Sequence, residues 1–538
     1  MAQTPQQSPA HNKEARNKEL IQNLETHFEP QSFIFSRGVE RETLRVDGKG
    51  GLSSKAHPEG LGSKLTHPLI TTDFSEAQLE LITPVAQSID ETIKTLNDTH
   101  RFVYQHMGEE ILWASSMPCM LQGDDDIPLA RYGNSNLGRL KTTYRNGLSI
   151  RYGRSMQTIC AVHYNFSFSD ALWQGLAKME GKEDSLSFRS ARYFDLMRNF
   201  RRFSWLAIYL TGASPAVCKS FVKEQDHNLQ EIDKGSLSLD NATSLRNGDD
   251  LGYKSVEQSE LIQICYNGLD NYIQSLAKAI TTPVDRYSTM SAANDKAVQV
   301  NDSVLQSEAE FYTTIRAKRV PPPGTNFLST LKDDGVQYIE VRLLDVNPYQ
   351  PLGIDASTMR FIDILLLHCL LTESPGHDEA LCRSVDENVV EVVSHGRDTS
   401  TLLLDQSEPR TILEWGKEML DQFMILATFL DKTIESDTAH QDAISEQILK
   451  IENSDLTPSG KILIDMSEQK IPFYQFSMNQ SLAHKEHFLN QPLSEKELAH
   501  FDALAARSVE EQSAIDNQDE VSFDTYLKNL NQEYRDLL

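Results

Sequence analysis

The chain has no apolar run long enough to cross a bilayer. Its most hydrophobic stretch, Ile364-Leu365-Leu366-Leu367-His368-Cys369-Leu370-Leu371, falls well short of the ~20 residues a spanning helix needs, and it reads as a buried helix. The N-terminus is polar and shows no apolar core of a signal peptide. A soluble, cytoplasmic protein is therefore expected. Cysteine is scarce: six residues, Cys119, Cys160, Cys218, Cys265, Cys369 and Cys382, none in a CxxC pair. Buried reduced thiols are expected rather than disulfides or a zinc site. There is no P-loop, no GxGxxG, no Gly-x-Ser-x-Gly and no internal repeat, so the best-known phosphate and acyl-transfer motifs are excluded. Positive charge is in deficit, with 51 Lys and Arg against 78 Asp and Glu and a net charge of −27. That balance argues against nucleic acid and anionic membranes as partners. A phosphate-bearing substrate would need metal ions and a few arginines to enter such a field.

What the chain does have is length and pattern. Its 538 residues give a prior of about three or four domains, which large α/β enzymes often break. Residues 1–17 read as a disordered lead, followed by a short helix from Lys18 to His27. Ser88 to Leu112 reads as an amphipathic helix capped by Ser88. Arg192 to Leu210 reads as a helix ending near Gly212. Residues 223–260 are polar and loop-rich, as binding or lid loops often are. From Pro351 the pattern is mainly helical, with amphipathic stretches at Ile412–Ile434 and Ser494–Ser508 and an acidic tail over 509–538. This C-terminal part carries no evident catalytic constellation and reads as scaffold.

The chemistry lies in the alternating stretches. In Gly38-Val39-Glu40-Arg41-Glu42-Thr43-Leu44-Arg45-Val46, read as a strand, Glu40 and Glu42 share one face and Arg41, Thr43 and Arg45 the other. Two carboxylates so placed stay ionised together only beside a cation or in water. The plainer reading is an exposed edge strand of alternating charge. In the segment Thr66–Pro84, Asp73, Glu76 and Glu80 form one acidic stripe if it is helical; if it is extended, Glu76, Gln78 and Glu80 share a face. Val162 to Phe168 alternates, with His163, Asn165 and Ser167 on its polar side. Tyr338, Glu340 and Arg342 share a face of another strand, where carboxylate and guanidinium either neutralise each other or serve a metal-bound phosphoryl group. Residues 131–157 are basic and aromatic, a patch that either holds an anion or offsets acidic neighbours. Glu40, Glu42, Asp73, Glu80, His163 and Glu340 together offer hard oxygen and imidazole ligands suited to Mg²⁺ or Mn²⁺, with Arg342 beside them.

These stretches, with Leu65-Thr66-His67, Ile70-Thr71-Thr72-Asp73-Phe74, Tyr132-Gly133-Asn134-Ser135-Asn136, Met156-Gln157-Thr158-Ile159, Gly212-Ala213-Ser214-Pro215-Ala216 and Leu251-Gly252-Tyr253, resemble the proteobacterial-type glutamate–cysteine ligases. The resemblance runs in order over residues 36–355. It implies an α+β fold in which a curved, mostly antiparallel, glutamine-synthetase-like sheet forms a funnel packed by helices. It places the ATP, metal and substrate sites in a sheet core over 18–355, with 356–538 a helical remainder packed on the same unit. It implies ATP, L-glutamate and L-cysteine as small-molecule substrates, a γ-glutamyl phosphate intermediate, the first step of glutathione biosynthesis and a monomer. By the same resemblance, Glu40, Glu42, Asp73, Glu80, His163 and Glu340 are metal ligands, and Arg342, Arg246 and Glu340 are counted as catalytic. Arg342 steadies nucleotide phosphate and the transferred phosphoryl group. Arg246 and Asn165 lie near glutamate, and Tyr144, Leu148, Gln157, Tyr253 and Tyr312 line the cysteine pocket. The alternatives are a related ligase with another amine acceptor and a silent metal- or nucleotide-binding protein.

Overall fold

The computed structural model describes residues 9–118, 120–222, 227–248, 262–292, 297–322, 325–434 and 437–538, with the side chains of 9–16 left aside. Twelve strands are present among them. They are β1 (Ser36–Val46), β2 (Ile70–Thr72), β3 (Gln78–Ile82), β4 (Ile111–Leu112), β5 (Val162–Ser167), β6 (Ala216–Cys218), β7 (Gln230–Glu231), β8 (Ser236–Ser238), β9 (Ile315–Lys318), β10 (Tyr338–Leu344), β11 (Leu402–Asp405) and β12 (Glu408–Thr411). Seven of them make one sheet in the order β2-β3-β1-β5-β10-β9, with β4 also on β1. Every pairing in it is antiparallel.

The strands form because their side chains alternate. On one face of the sheet Val39, Leu79, Leu81, Tyr164, Phe166, Ile339, Val341 and Leu343 are all buried. Helices Leu186–Thr211 and Ala356–Leu371 pack there against each other, the first also beneath β9 and β10. The second helix contains the apolar run noted above; as expected it is interior, and residues 361–367 are fully buried. Among the described residues no helix is long and apolar enough to cross a membrane. Sheet and helix are pinned by a buried network: Arg37 on β1 pairs with Asp363 at 2.7 Å, and Tyr164 Oη donates to the same carboxylate at 2.8 Å.

Several expected elements shift. The first helix starts at Pro9 and runs to His27, entering the stretch expected to be disordered. Ser88 caps a helix that stops at His106; Ile111 and Leu112 instead pair with β1. The segment 66–84 is extended, so the acidic stripe of a helix does not form: β2 and β3 are joined by a turn in which Glu76 pairs with Lys64. The basic segment 131–157 contains a helix over Asn136–Tyr152. Cys218 is disulfide-bonded, which corrects the expectation of reduced thiols throughout; Cys160, Cys265, Cys369 and Cys382 are free. Sequence spacing carries no information about which distant cysteines a fold brings together.

One contiguous core spans Leu24 to Leu537. The C-terminal helices thus share their interior with the sheet.

Candidate functional site

The register of the sheet builds the site. Glu40 lies opposite His163, Glu42 opposite Glu80, and Glu340 opposite Asn165 on one side and Arg316 on the other. Four neighbouring strands, β3, β1, β5 and β10, therefore turn their polar residues onto the face away from the helices. His163 is the hub. Its Nδ1 is 3.3 Å from Glu40 Oε2 and 3.5 Å from Glu340 Oε1, and its Nε2 is 3.6 Å from Glu42 Oε1. One ligand atom each from Glu40, His163 and Glu340 lie within 4.8 Å of one another. Asn165 Nδ2 donates to Glu40 Oε1 at 2.8 Å, and the Ala161 amide donates to Glu42 Oε2 at 2.8 Å.

The electrostatics divide this cluster in two. At the β10 end, cations are built in: Arg342 pairs with Glu340 and Lys318 Nζ lies 3.3 Å from its other oxygen. Burial opposes ionisation of Glu340, but Arg342, Lys318 and His163 outweigh it and hold the carboxyl well below its usual range. Burial likewise opposes ionisation of Glu40, and the hydrogen bond from His163 turns the balance downward. At the β3 end the nearby cations, Arg145 and Lys141 for Glu80 and Arg342 for Glu42, do not outweigh burial and like charge. Burial and the charges of Glu40 and Asp73 push Glu80 up to about 8. Burial, Asp73 and Glu80 push Glu42 well up. Like charges in direct cross-strand apposition destabilise a sheet. The pair Glu42–Glu80 is thus unfavourable as it stands and becomes favourable with a cation between them.

Glu340 Oε2 is buried without a hydrogen-bond partner among the described residues. Carboxylate oxygens with one imidazole are the donor set of a hard divalent ion. The residues present fit such ions.

The walls come from outside the sheet. Arg145, on helix Asn136–Tyr152, donates to the Asp73 carbonyl and stacks on Tyr132 at 4.5 Å; with Lys141 it lowers Glu80 against burial. The basic patch thus faces the acidic turn. On the same helix sit Tyr144 and the buried Leu148. Gln157, also buried, is on the short 3-10 turn Met156–Thr158. Tyr312 precedes β9, and its Oη donates to Asn247 Oδ1 at 3.2 Å. Arg246 is buried and committed: Nε donates to Asp345 Oδ1 at 2.7 Å and Nη2 to the Arg342 carbonyl at 3.2 Å. It stands directly behind the backbone of Arg342. Tyr253 lies outside the described residues. Arg316 and Lys318 were passed over as site residues, although their alternation on one strand, ahead of the Glu340 strand, is the same signal that marks Glu340 and Arg342.

Behind β1 lies an opposite charge. Arg41 is 2% exposed. Its Nε and Nη1 have no hydrogen-bond partner among the described residues. Burial drives its pKa down to about 10, against the pull of Cys160, Tyr104 and Glu42.

The arrangement is matched by known proteins. The family model described as glutamate–cysteine ligase matches residues 21–392. A glutamate–cysteine ligase from Alcanivorax borkumensis is 44% identical over 498 residues, covering 91% of this chain and 94% of the relative. One from Pseudomonas fluorescens is 44% identical over 492 residues, covering 91% and 92%. Among solved structures, a glutamate–cysteine ligase from Francisella tularensis in complex with AMP matches with a TM-score of 0.88 at 33% identity, over 95% of this chain and all of that one. A bifunctional glutathione synthetase from Pasteurella multocida shares the fold at 22% identity and TM-score 0.66.

Proposed function

The chain belongs to the glutamate–cysteine ligase family, and from that premise we propose how its residues divide the work. The activity is ATP-dependent joining of the L-glutamate γ-carboxylate to the L-cysteine amine, giving γ-glutamylcysteine for glutathione biosynthesis. A carboxylate is a poor acyl donor because oxide would have to leave. Phosphoryl transfer from ATP makes a γ-glutamyl phosphate, which the amine attacks at the acyl carbon, expelling phosphate.

The transferred phosphoryl group passes between two anions, so positive charge at the crossing point is the first requirement. Glu40, Glu42, Asp73, Glu80, His163 and Glu340 would hold Mg²⁺ or Mn²⁺. Such ions, when bound, neutralise phosphate oxygens and the charge that develops during transfer. Arg342, on the strand that carries Glu340, presents its guanidinium to the nucleotide phosphates and the moving group. Asn165 and Arg246 serve the glutamate end, Arg246 by fixing the β10 backbone at Arg342 through Asp345. Tyr144, Leu148, Gln157 and Tyr312 bound a tight amine pocket, to which Tyr253 is assigned by its motif. The enzyme works as a cytoplasmic monomer on these small molecules.

The observation that carries this assignment is the meeting of Glu40, His163 and Glu340 from three strands within 4.8 Å. Its test is phosphate release from ATP with Mg²⁺, adding glutamate and cysteine singly and together. Release that needs both substrates and is abolished by chelation is expected. Full release with another amine but not with cysteine would reassign the acceptor. Release that survives chelation would remove the metal roles.

A further inference from the structure

A small apolar cluster stands apart from the main core. Val300, Phe523 and Leu527 are its buried members, and Leu140, Tyr144 and Leu530 pack against it. It joins three segments: the Asn136–Tyr152 helix, the stretch 297–312 that ends in Tyr312, and the C-terminal helix Phe523–Arg535. Tyr144 thus packs on the cluster that the C-terminal helix helps to build, while belonging to the assigned amine pocket.

Polar contacts repeat the connection. Tyr534 Oη donates to Glu308 Oε2 at 2.8 Å. Asn531 Nδ2 donates to the Val300 carbonyl at 3.3 Å and Asn301 Nδ2 to Asn531 Oδ1 at 3.1 Å. Ahead of the C-terminal helix, Asp516 accepts from the Ser135 amide at 3.1 Å and Asp519 from the Asn136 amide at 2.7 Å. Two carboxylates of the acidic tail therefore sit on the N-terminus of the pocket helix, where its dipole favours negative charge.

Inside this clamp the two pocket segments are locked together. Gln306 donates to the Tyr144 carbonyl at 3.1 Å and accepts from the Val300 amide at 3.0 Å. A side chain at Gly147 would overlap Gln306 Oε1, since a Cβ there would lie 2.0 Å away. Glu310, two residues before Tyr312, takes Arg151 at 3.0 Å.

We propose that residues 516–537 are a positioning element of the amine pocket. By gripping the pocket helix at its N-terminus and the 297–312 segment along its length, they set the separation of Tyr144 and Tyr312, and with it affinity for the acceptor amine. This inference rests on the pocket assignment made above. The acidic cluster meets the gripped helix only through Arg145 and Lys141, at one turn from Tyr144 or closer, so the tail reaches ATP, glutamate and metal handling indirectly and its main effect falls on the acceptor amine.

The test uses the full chain with Tyr534→Phe, which removes the hydroxyl contact to Glu308, Asn531→Ala, which removes both contacts to Val300 and Asn301, and Asp519→Ala, which removes the acceptor at the Asn136 amide, with Tyr312→Ala as the pocket control. KM and kcat are measured for cysteine, glutamate and ATP, with 2-aminobutyrate as a second acceptor and Tm as a check on folding. The tail variants are expected to raise the cysteine KM by about 3–10-fold, the effect of one or two lost hydrogen bonds. Their KM for ATP and glutamate should stay within about twofold, and the cysteine/2-aminobutyrate ratio should shift. If Tyr312→Ala raises the cysteine KM and the tail variants leave it unchanged, or move all three KM values together, the positioning role is overturned and the pocket stands. If Tyr312→Ala also leaves the cysteine KM unchanged, the pocket assignment fails and takes the inference with it.

Discussion

Glu340 shows how a single carboxylate can be both satisfied and waiting. One oxygen is held by Arg342; the other is within 3.3 Å of Lys318 yet has no hydrogen bond. Replacing it with Gln keeps the shape and removes the charge. Glu340→Gln and Glu40→Gln are each expected to lower turnover by roughly 10²-fold or more while far-UV circular dichroism stays native. Arg342→Lys should cost roughly as much, because an ammonium cannot reproduce the fork of the guanidinium. Near-native kcat at saturating Mg²⁺ in any of the three would remove that residue from the assignment. At this scale the sequence was legible where the pattern has period two. Glu40-x-Glu42 and Glu340-x-Arg342 announce their shared faces without coordinates. Arg246 was not legible in the same way: its partner, Asp345, comes from a distant strand end, and no local rule joins them.

The strand β1 is where fold and site meet. Its acidic residues belong to the site, while Arg37 ties it to Asp363 on the helix beneath. A buried pair is costly to break, because the surviving charge is left without a partner. Arg37→Leu or Asp363→Asn is therefore expected to destabilise the protein by about 3–5 kcal/mol, read as a drop in the urea midpoint. The Arg37→Leu, Asp363→Leu double variant should recover much of that loss. If the single changes leave the midpoint in place, the network contributes no net stability. Element types were mostly readable in the chain, since apolar alternation and Ser caps act locally. The extended form of 66–84 was not, because Asp73, Glu76 and Glu80 suit a helical stripe equally well. Pairing of β3 with β1, and of β2 with β3, decided it, and that is a tertiary effect.

For the molecule as a whole, burial of histidine matters to acid stability. His67, His100, His368, His377 and His484 are all buried. Burial drives His100 down to about 3 and the other four to about 4. Each binds a proton more readily in the unfolded chain, where its pKa is near 6.5. Stability from them is full above pH 6.5 and is lost as pH falls toward 4. Tm should therefore fall steeply between about pH 6.5 and 4.5; a flat profile there would mean these rings are hydrated in the native state. The C-terminal third was the least legible part, read only as scaffold. Its contacts with Ser135, Asn136 and Glu308 join residues far apart in sequence, and acidic residues in a tail ordinarily signal only solvation. Arg41 has a last consequence for this molecule. Its buried guanidinium, with Nε and Nη1 unpartnered among the described residues, lies behind the strand whose front carries Glu40 and Glu42. The strand is a thin insulating layer between two oppositely charged plates. Glu42 in front pulls on Arg41 through that layer, so a change of charge on the front of the strand is felt at the guanidinium behind it.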